Sequence, residues 1–81
     1  MSKIIKETGM RELSHIVKSN NKYYFVDSNN TFDFGYETMV FSCDENGQNI
    51  DYSDLYTGWY DTEEEMRKIH YKICNELENY L

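Results

Sequence analysis

Proline is absent from these 81 residues, cysteine occurs only twice, and residues 23 to 65 carry no Lys or Arg. No apolar run approaches the roughly 20 residues of a membrane span. The first residues, Met1-Ser2-Lys3-Ile4-Ile5-Lys6, carry two basic side chains but no apolar stretch of signal-peptide length behind them. The chain therefore reads as a cytoplasmic protein. Cys43 and Cys74 stand far apart and form no metal-ligand spacing, so they read as free thiols in or near the core. The missing proline accompanies many Asn, Lys, Ile and Tyr residues, a bias that suits an AT-rich genome and excludes no fold.

A chain of this length makes one domain, expected to span 1–81 with residues 1–9 as a flexible N-terminal segment. It buries roughly two-thirds of the surface its unfolded form exposes. That leaves room for one sheet and one packed helix, and little for a deep substrate cavity. The 16% aromatic content is enough for a folded core and argues against disorder.

The net charge of -7 is unevenly spread. Residues 1–22 hold Lys3, Lys6, Arg11, Lys18 and Lys22 against Glu7 and Glu12, a net of +3. Residues 23–65 hold Asp27, Asp33, Glu37, Asp44, Glu45, Asp51, Asp54, Asp61, Glu63, Glu64 and Glu65, a net of -11. Residues 66–81 return to +1. The middle segment repels nucleic acid and membrane phosphates and attracts a basic surface. A solvated face that keeps a small chain soluble has the same composition.

The C-terminal helix is the clearest element. Thr62 is a good N-cap, Glu65 completes a capping box, and Glu63, Glu64 and Glu65 suit the positive end of the helix dipole. Met66, Ile69, Ile73, Leu77 and Tyr80, with Cys74 beside them, form an apolar stripe of helical period. The pattern predicts a helix over about 63–79.

The middle predicts strands. Tyr23-Tyr24-Phe25-Val26 is a short aromatic and β-branched run. Residues 13–18 form its hairpin partner across Asn20-Asn21, against a rival reading that puts Met10, Leu13 and Val17 on a short helix. Residues 27–35 read as a polar loop. Residues 36–43 form a central strand with Tyr36, Thr38, Val40 and Ser42 on one face and Glu37, Met39, Phe41 and Cys43 on the other. Asp44-Glu45-Asn46-Gly47 is a turn with Gly47 placed for a left-handed residue. Residues 48–60 read as an irregular return, either an edge strand or a lid. The fold class is α+β: a small antiparallel sheet of three to four strands packed against one C-terminal helix.

Chemistry-bearing patterns are scarce. His70 sits at the edge of the helix stripe, where a hydrogen-bonded core histidine is expected. His15 lies in a strand read as exposed and has no local partner. The turn at Asp44, with Asp51, lacks the ligand spacing of a calcium loop. There is no glycine-flanked Ser elbow, no Gly-rich phosphate loop and no activated Cys. No enzyme, metal or cofactor is expected.

Three stretches carry a resemblance: Tyr36-Glu37-Thr38-Met39-Val40-Phe41, then Asp44-Glu45-Asn46-Gly47, then Tyr60-Asp61-Thr62-Glu63-Glu64-Glu65-Met66 with His70. Together they resemble a group of short proteins encoded by phages and mobile elements of Gram-positive bacteria. Met66 stands where that group's pattern has Ala. The resemblance covers about residues 22–75 and implies a setting rather than an activity. Size and charge resemble the small acidic phage proteins that inhibit host machinery, some of them DNA mimics.

The sequence thus points to an acidic interaction protein that inhibits a host nucleic-acid-handling or immune factor, in the manner of an anti-CRISPR protein. Its partner would be a basic host protein such as a CRISPR effector or another nuclease, with no direct contact to nucleic acid or membrane. The expected partner-binding residues are Asp33, Glu37, Asp44, Glu45, Asp51, Asp54, Trp59, Glu63 and Glu64. Two alternatives stand beside this reading. Tyr52, Tyr56, Trp59 and Tyr60 suggest a binder of a small molecule such as a signalling nucleotide. An exposed edge strand suggests a structural homo-oligomer, a homodimer at its simplest.

Overall fold

The structure, a computed structural model, describes residues 1–9, 13–33 and 35–81. Five strands form one antiparallel sheet: β1 (Ser2–Glu7), β2 (Leu13–Ser19), β3 (Lys22–Thr31), β4 (Gly35–Cys43) and β5 (Asp51–Tyr60). Their order across the sheet is their order in the chain. One helix follows, α1 (Glu63–Asn75), and then a single 3-10 turn at Leu77–Asn79. The class is α+β, with five strands rather than three to four.

Local chemistry explains most of the turns. Ser19 pairs with Lys22, and Asn20 and Asn21 both take left-handed backbone (φ 52° and 66°). That geometry matches the right-handed twist of a two-residue hairpin, and Asn tolerates it. Residues 13–19 are therefore strand; Met10 of the rival helical reading lies outside the described residues. Thr62 is extended (φ -131°, ψ 155°), and its hydroxyl accepts the Glu65 N–H. Such a cap is worth about 1 kcal/mol. The helix ends at Asn75, short of the expected 79.

Two expectations fail for identifiable reasons. Residues 1–9 were expected to be flexible, yet Ser2–Glu7 is an edge strand paired with β2. Ser2 is buried, and its Oγ accepts the Leu77 N–H at 2.9 Å, which ties the start of the chain to its end. Residues 27–35 were expected to be a loop, yet β3 runs on to Thr31 and pairs as far as Thr31 with Gly35. Its polar residues suggest a loop, and one of them, Ser28, serves a buried network, described below.

Each face of the sheet carries apolar packing. Val17, Val26 and Val40 meet Ile73, Cys74 and Leu77 on the helix side. On the opposite face Ile16, Phe25 and Phe41 cluster, with Met39, Cys43 and Ile50 at their margin. The connection between β4 and β5 folds back over this second cluster. Gly47 lies against Ile16, so close that a Cβ would sit 2.7 Å from the Ile16 Cδ1. Asp44 holds the connection in shape by accepting from Asn46 N, Gln48 N and Asn49 Nδ2 at 2.8–2.9 Å. Among the described residues no helix is long and apolar enough to cross a membrane.

Candidate functional site

A meander preserves sequence order in space, so the uneven charge along the chain becomes uneven charge across the sheet. Lys3, Lys6 and Lys18 lie on β1 and β2. Glu37, Asp51 and Asp54 lie on β4 and β5, and Asp61, Glu63 and Glu64 continue into the start of α1. Asp33 sits exposed in the turn between β3 and β4.

The expected site residues do not form one patch. Asp51, Asp54 and Trp59 are spread along β5, and Glu37 on β4 meets Trp59. The Trp59 indole donates from Nε1 to Glu37 at 2.8 Å, and Asp54 accepts the Thr57 hydroxyl at 2.6 Å. Glu64 is exposed in the first helical turn, and Glu63 pairs with Arg67 at 3.0 Å. Asp44 and Glu45 sit apart, in the connection folded over the second face. The hydrogen bond from Gln48, with those from Asn46 and Asn49, holds the Asp44 carboxyl below its ordinary range, and nearby Lys6 adds to this. Asp44 is therefore committed to its turn.

The outer side of β5 pairs with no other strand among the described residues. Its ladder is also interrupted. The two-residue step from Val40 to Ser42 faces the five-residue step from Tyr56 to Asp51. Such a bulge re-aims side chains and blunts an edge against strand addition. Around it Tyr52 is 69% exposed, Leu55 49% and Trp59 57%.

The four aromatics expected as a cluster divide between the two faces. Tyr52 and Trp59 lie outside, with Tyr52 against Phe41. Tyr56 and Tyr60 point to the helix side, their hydroxyls 3.1 Å apart, with Tyr56 edge-on to Tyr80. Gly58 makes this pairing feasible, since a Cβ there would come within 2.5 Å of one hydroxyl and 2.6 Å of the other. An open groove of about 540 Å³ is lined in part by Lys22, Tyr23, Tyr24, Cys43 and Leu81, and Leu55 of β5 borders it. None of the four aromatics lines it.

A second feature escapes the sequence reading. His15, expected on an exposed strand, is only 6% exposed and His70 is fully buried. The Nδ1 of His15 lies 2.8 Å from the Nε2 of His70, and the Nδ1 of His70 lies 2.6 Å from the Ser28 Oγ. Ser28 bonds the Thr38 hydroxyl at 2.6 Å, and Thr38 bonds the Tyr60 phenol. The chain of side chains thus joins β2, α1, β3, β4 and β5. Its protons run one way or the other: either His15 donates to His70 and His70 to Ser28, or both bonds reverse.

Burial sets the chemistry of these groups. It lowers the His70 pKa to about 3, with the His15 ring and Arg67 adding to the effect, and it lowers that of His15 against the pull of Glu7. Desolvation pushes the Cys74 thiol up to about 12. Cys43, desolvated and beside Asp44, is pushed to about 11. Ser28 and His70 have the contact of a nucleophile and its base, and Ser28 is buried completely. Only the pairing of polar positions in a run read as loop hinted at this network.

Comparison with family models, curated proteins and solved structures finds no match to this chain.

Proposed function

We propose that the chain is an acidic interaction protein that binds a basic surface of a nucleic-acid-handling protein and inhibits it by occupying the place of phosphates. The observation that carries this reading is the β5 edge. Tyr52, Leu55 and Trp59 are exposed along that strand, which also carries Asp51 and Asp54, with Asp61 just beyond it and Glu37 on the neighbouring strand bonded to Trp59. Exposed aromatic side chains interspersed with charge suit a protein interface. Carboxylates attract Lys and Arg over a distance, which raises association rate and makes it salt-dependent. The reading places the protein in the cytoplasm of a bacterial host, in line with the phage setting that the resemblance implies, and gives it no catalytic role. The divided aromatics weigh against a base-stacking pocket for a nucleotide.

The experiment is affinity capture from a lysate of a Gram-positive bacterium, at low and high salt, identified by mass spectrometry. The expected result is one dominant basic protein, recovered at low salt and reduced at high salt. A bait carrying Trp59→Ser and Asp54→Lys should lose it. Equal recovery by both baits would remove β5 from the interface. Self-association without a second protein would favour the homodimer instead.

A further inference from the structure

We propose that His15, His70 and Cys74 form a buried site for one monovalent thiophilic metal ion, Cu(I). The inference is independent of the β5 surface.

Geometry comes first. One nitrogen of each ring and the Cys74 Sγ all lie within 4.8 Å of one another. His70 and Cys74 stand four residues apart on α1, so they face the same way one turn apart. His15 meets them from β2, beneath the helix. These three residues are the only described group of three that the structure brings together in this way.

The outer shell is also in place. Ser28 holds the Nδ1 side of His70 at 2.6 Å, and Thr38 holds Ser28. With its proton on Nδ1, His70 turns the Nε2 lone pair toward His15. A ligand histidine commonly has its other ring nitrogen fixed in this way. The ring cannot swing without breaking a buried bond.

Donor chemistry and burial select the ion. Two imidazoles and a thiolate suit soft and borderline ions and are a poor match for Mg²⁺ or Ca²⁺. Cys74 packs among Val17, Val26, Val40, Ile73 and Leu77. In such surroundings a net charge is costly. Cu(I) with one thiolate is neutral, and three donors satisfy it. Zn(II) would leave a positive charge and call for a fourth ligand.

The loading step balances. Cu(I) enters as a solvated or chelated monovalent ion, and Cys74 releases its thiol proton. The site is neutral before and after, and no electron is transferred. The His15 ring carries its proton on Nε2 in the loaded form, so Nδ1 is free to bind the ion. The 2.8 Å separation between the two rings opens toward the roughly 3.5 Å that metal–nitrogen bonds of about 2 Å require. The ring of Tyr71, itself partly exposed, lies 5.5 Å from that of His15.

The test is anaerobic competition. Chelator-stripped protein is titrated with Cu(I) as its bicinchoninate complex, and in a second series with Zn(II) against a chromophoric chelator. The expected result is one Cu(I) per chain, bound at least tenfold more tightly than Zn(II). Cys74→Ala and His15→Gln should each weaken uptake at least tenfold, and Cys43→Ser should leave it unchanged. Circular dichroism checks that the variants fold. Imidazole ¹⁵N shifts of the wild-type chain give a readout that needs no variant, with His15 Nδ1 and His70 Nε2 moving on loading. No uptake, tighter Zn(II) than Cu(I), uptake that survives Cys74→Ala, or unmoved imidazole shifts would each overturn the assignment.

Discussion

The Nδ1 of His15 and the Nε2 of His70 meet at 2.8 Å across 55 residues of chain, and this bond fastens the helix to β2 inside the core. Ser28 is the next link, at 2.6 Å from both His70 and Thr38. Removing its hydroxyl strands the buried Nδ1 of His70 and leaves Thr38 with the Tyr60 phenol. Ser28→Ala should therefore lower stability by about 1–3 kcal/mol. Urea unfolding measures this, and an unchanged midpoint would show that the network contributes nothing.

The same burial makes the metal-free chain acid-sensitive. Folded His70 has a pKa of about 3, against 6.5 for an ordinary histidine. Between those values the unfolded chain binds a proton that the folded chain refuses, so stability rises with pH across this window. It should be fully present above about pH 6.5 and fall progressively toward pH 3. Thermal unfolding in chelator at a series of pH values checks the slope. His70→Gln should reduce the slope to the part that buried His15 contributes, whatever its effect on absolute stability.

Gly47 sets the cover on the second face. Its φ is +75°, and a Cβ there would press on Ile16. Left-handed backbone alone costs a non-glycine residue about 1–2 kcal/mol. Gly47→Ala should destabilise by at least that much, with Ile16 and Ile50 methyl signals shifting in NMR spectra. Gly9 offers the contrast. It also has positive φ but nothing within 4 Å of its Cβ position, so Gly9→Ala should bear only the backbone cost.

The β5 surface is expected to behave oppositely. Leu55, Asp54 and Tyr52 are exposed, and substitutions at such positions usually change stability by less than about 0.5 kcal/mol. Asp54→Lys with Leu55→Ser, which spares the Tyr52 ring edge-on to Phe41, should leave the unfolding midpoint almost unchanged yet reduce partner capture. A variant that loses capture only by unfolding would show no such separation.

Much of the fold was legible in the residues. Thr62 and Glu65 marked the helix start, Asn20-Asn21 the hairpin, and Gly47 the turn. Residues 36–43 showed correctly which side chains share a face. The strand β1 was hidden because Ser2 and its edge are fixed by Leu77, a contact no local pattern encodes. The end of β3 was hidden because Ser28 is polar and buried at once. His15 and His70 stand 55 residues apart, and no local pattern encodes that they touch. The acidic residues were legible as a group but not by role: Asp44 belongs to its turn, and Asp51 and Asp54 to the edge.

The most direct measurement of the central claim is competition on the captured partner. A fluorescent DNA duplex bound to that protein is followed by anisotropy as this chain is added. The account predicts displacement at near-stoichiometric amounts, weakened by salt and lost with Trp59→Ser and Asp54→Lys together. A ternary complex that keeps the duplex bound would contradict it.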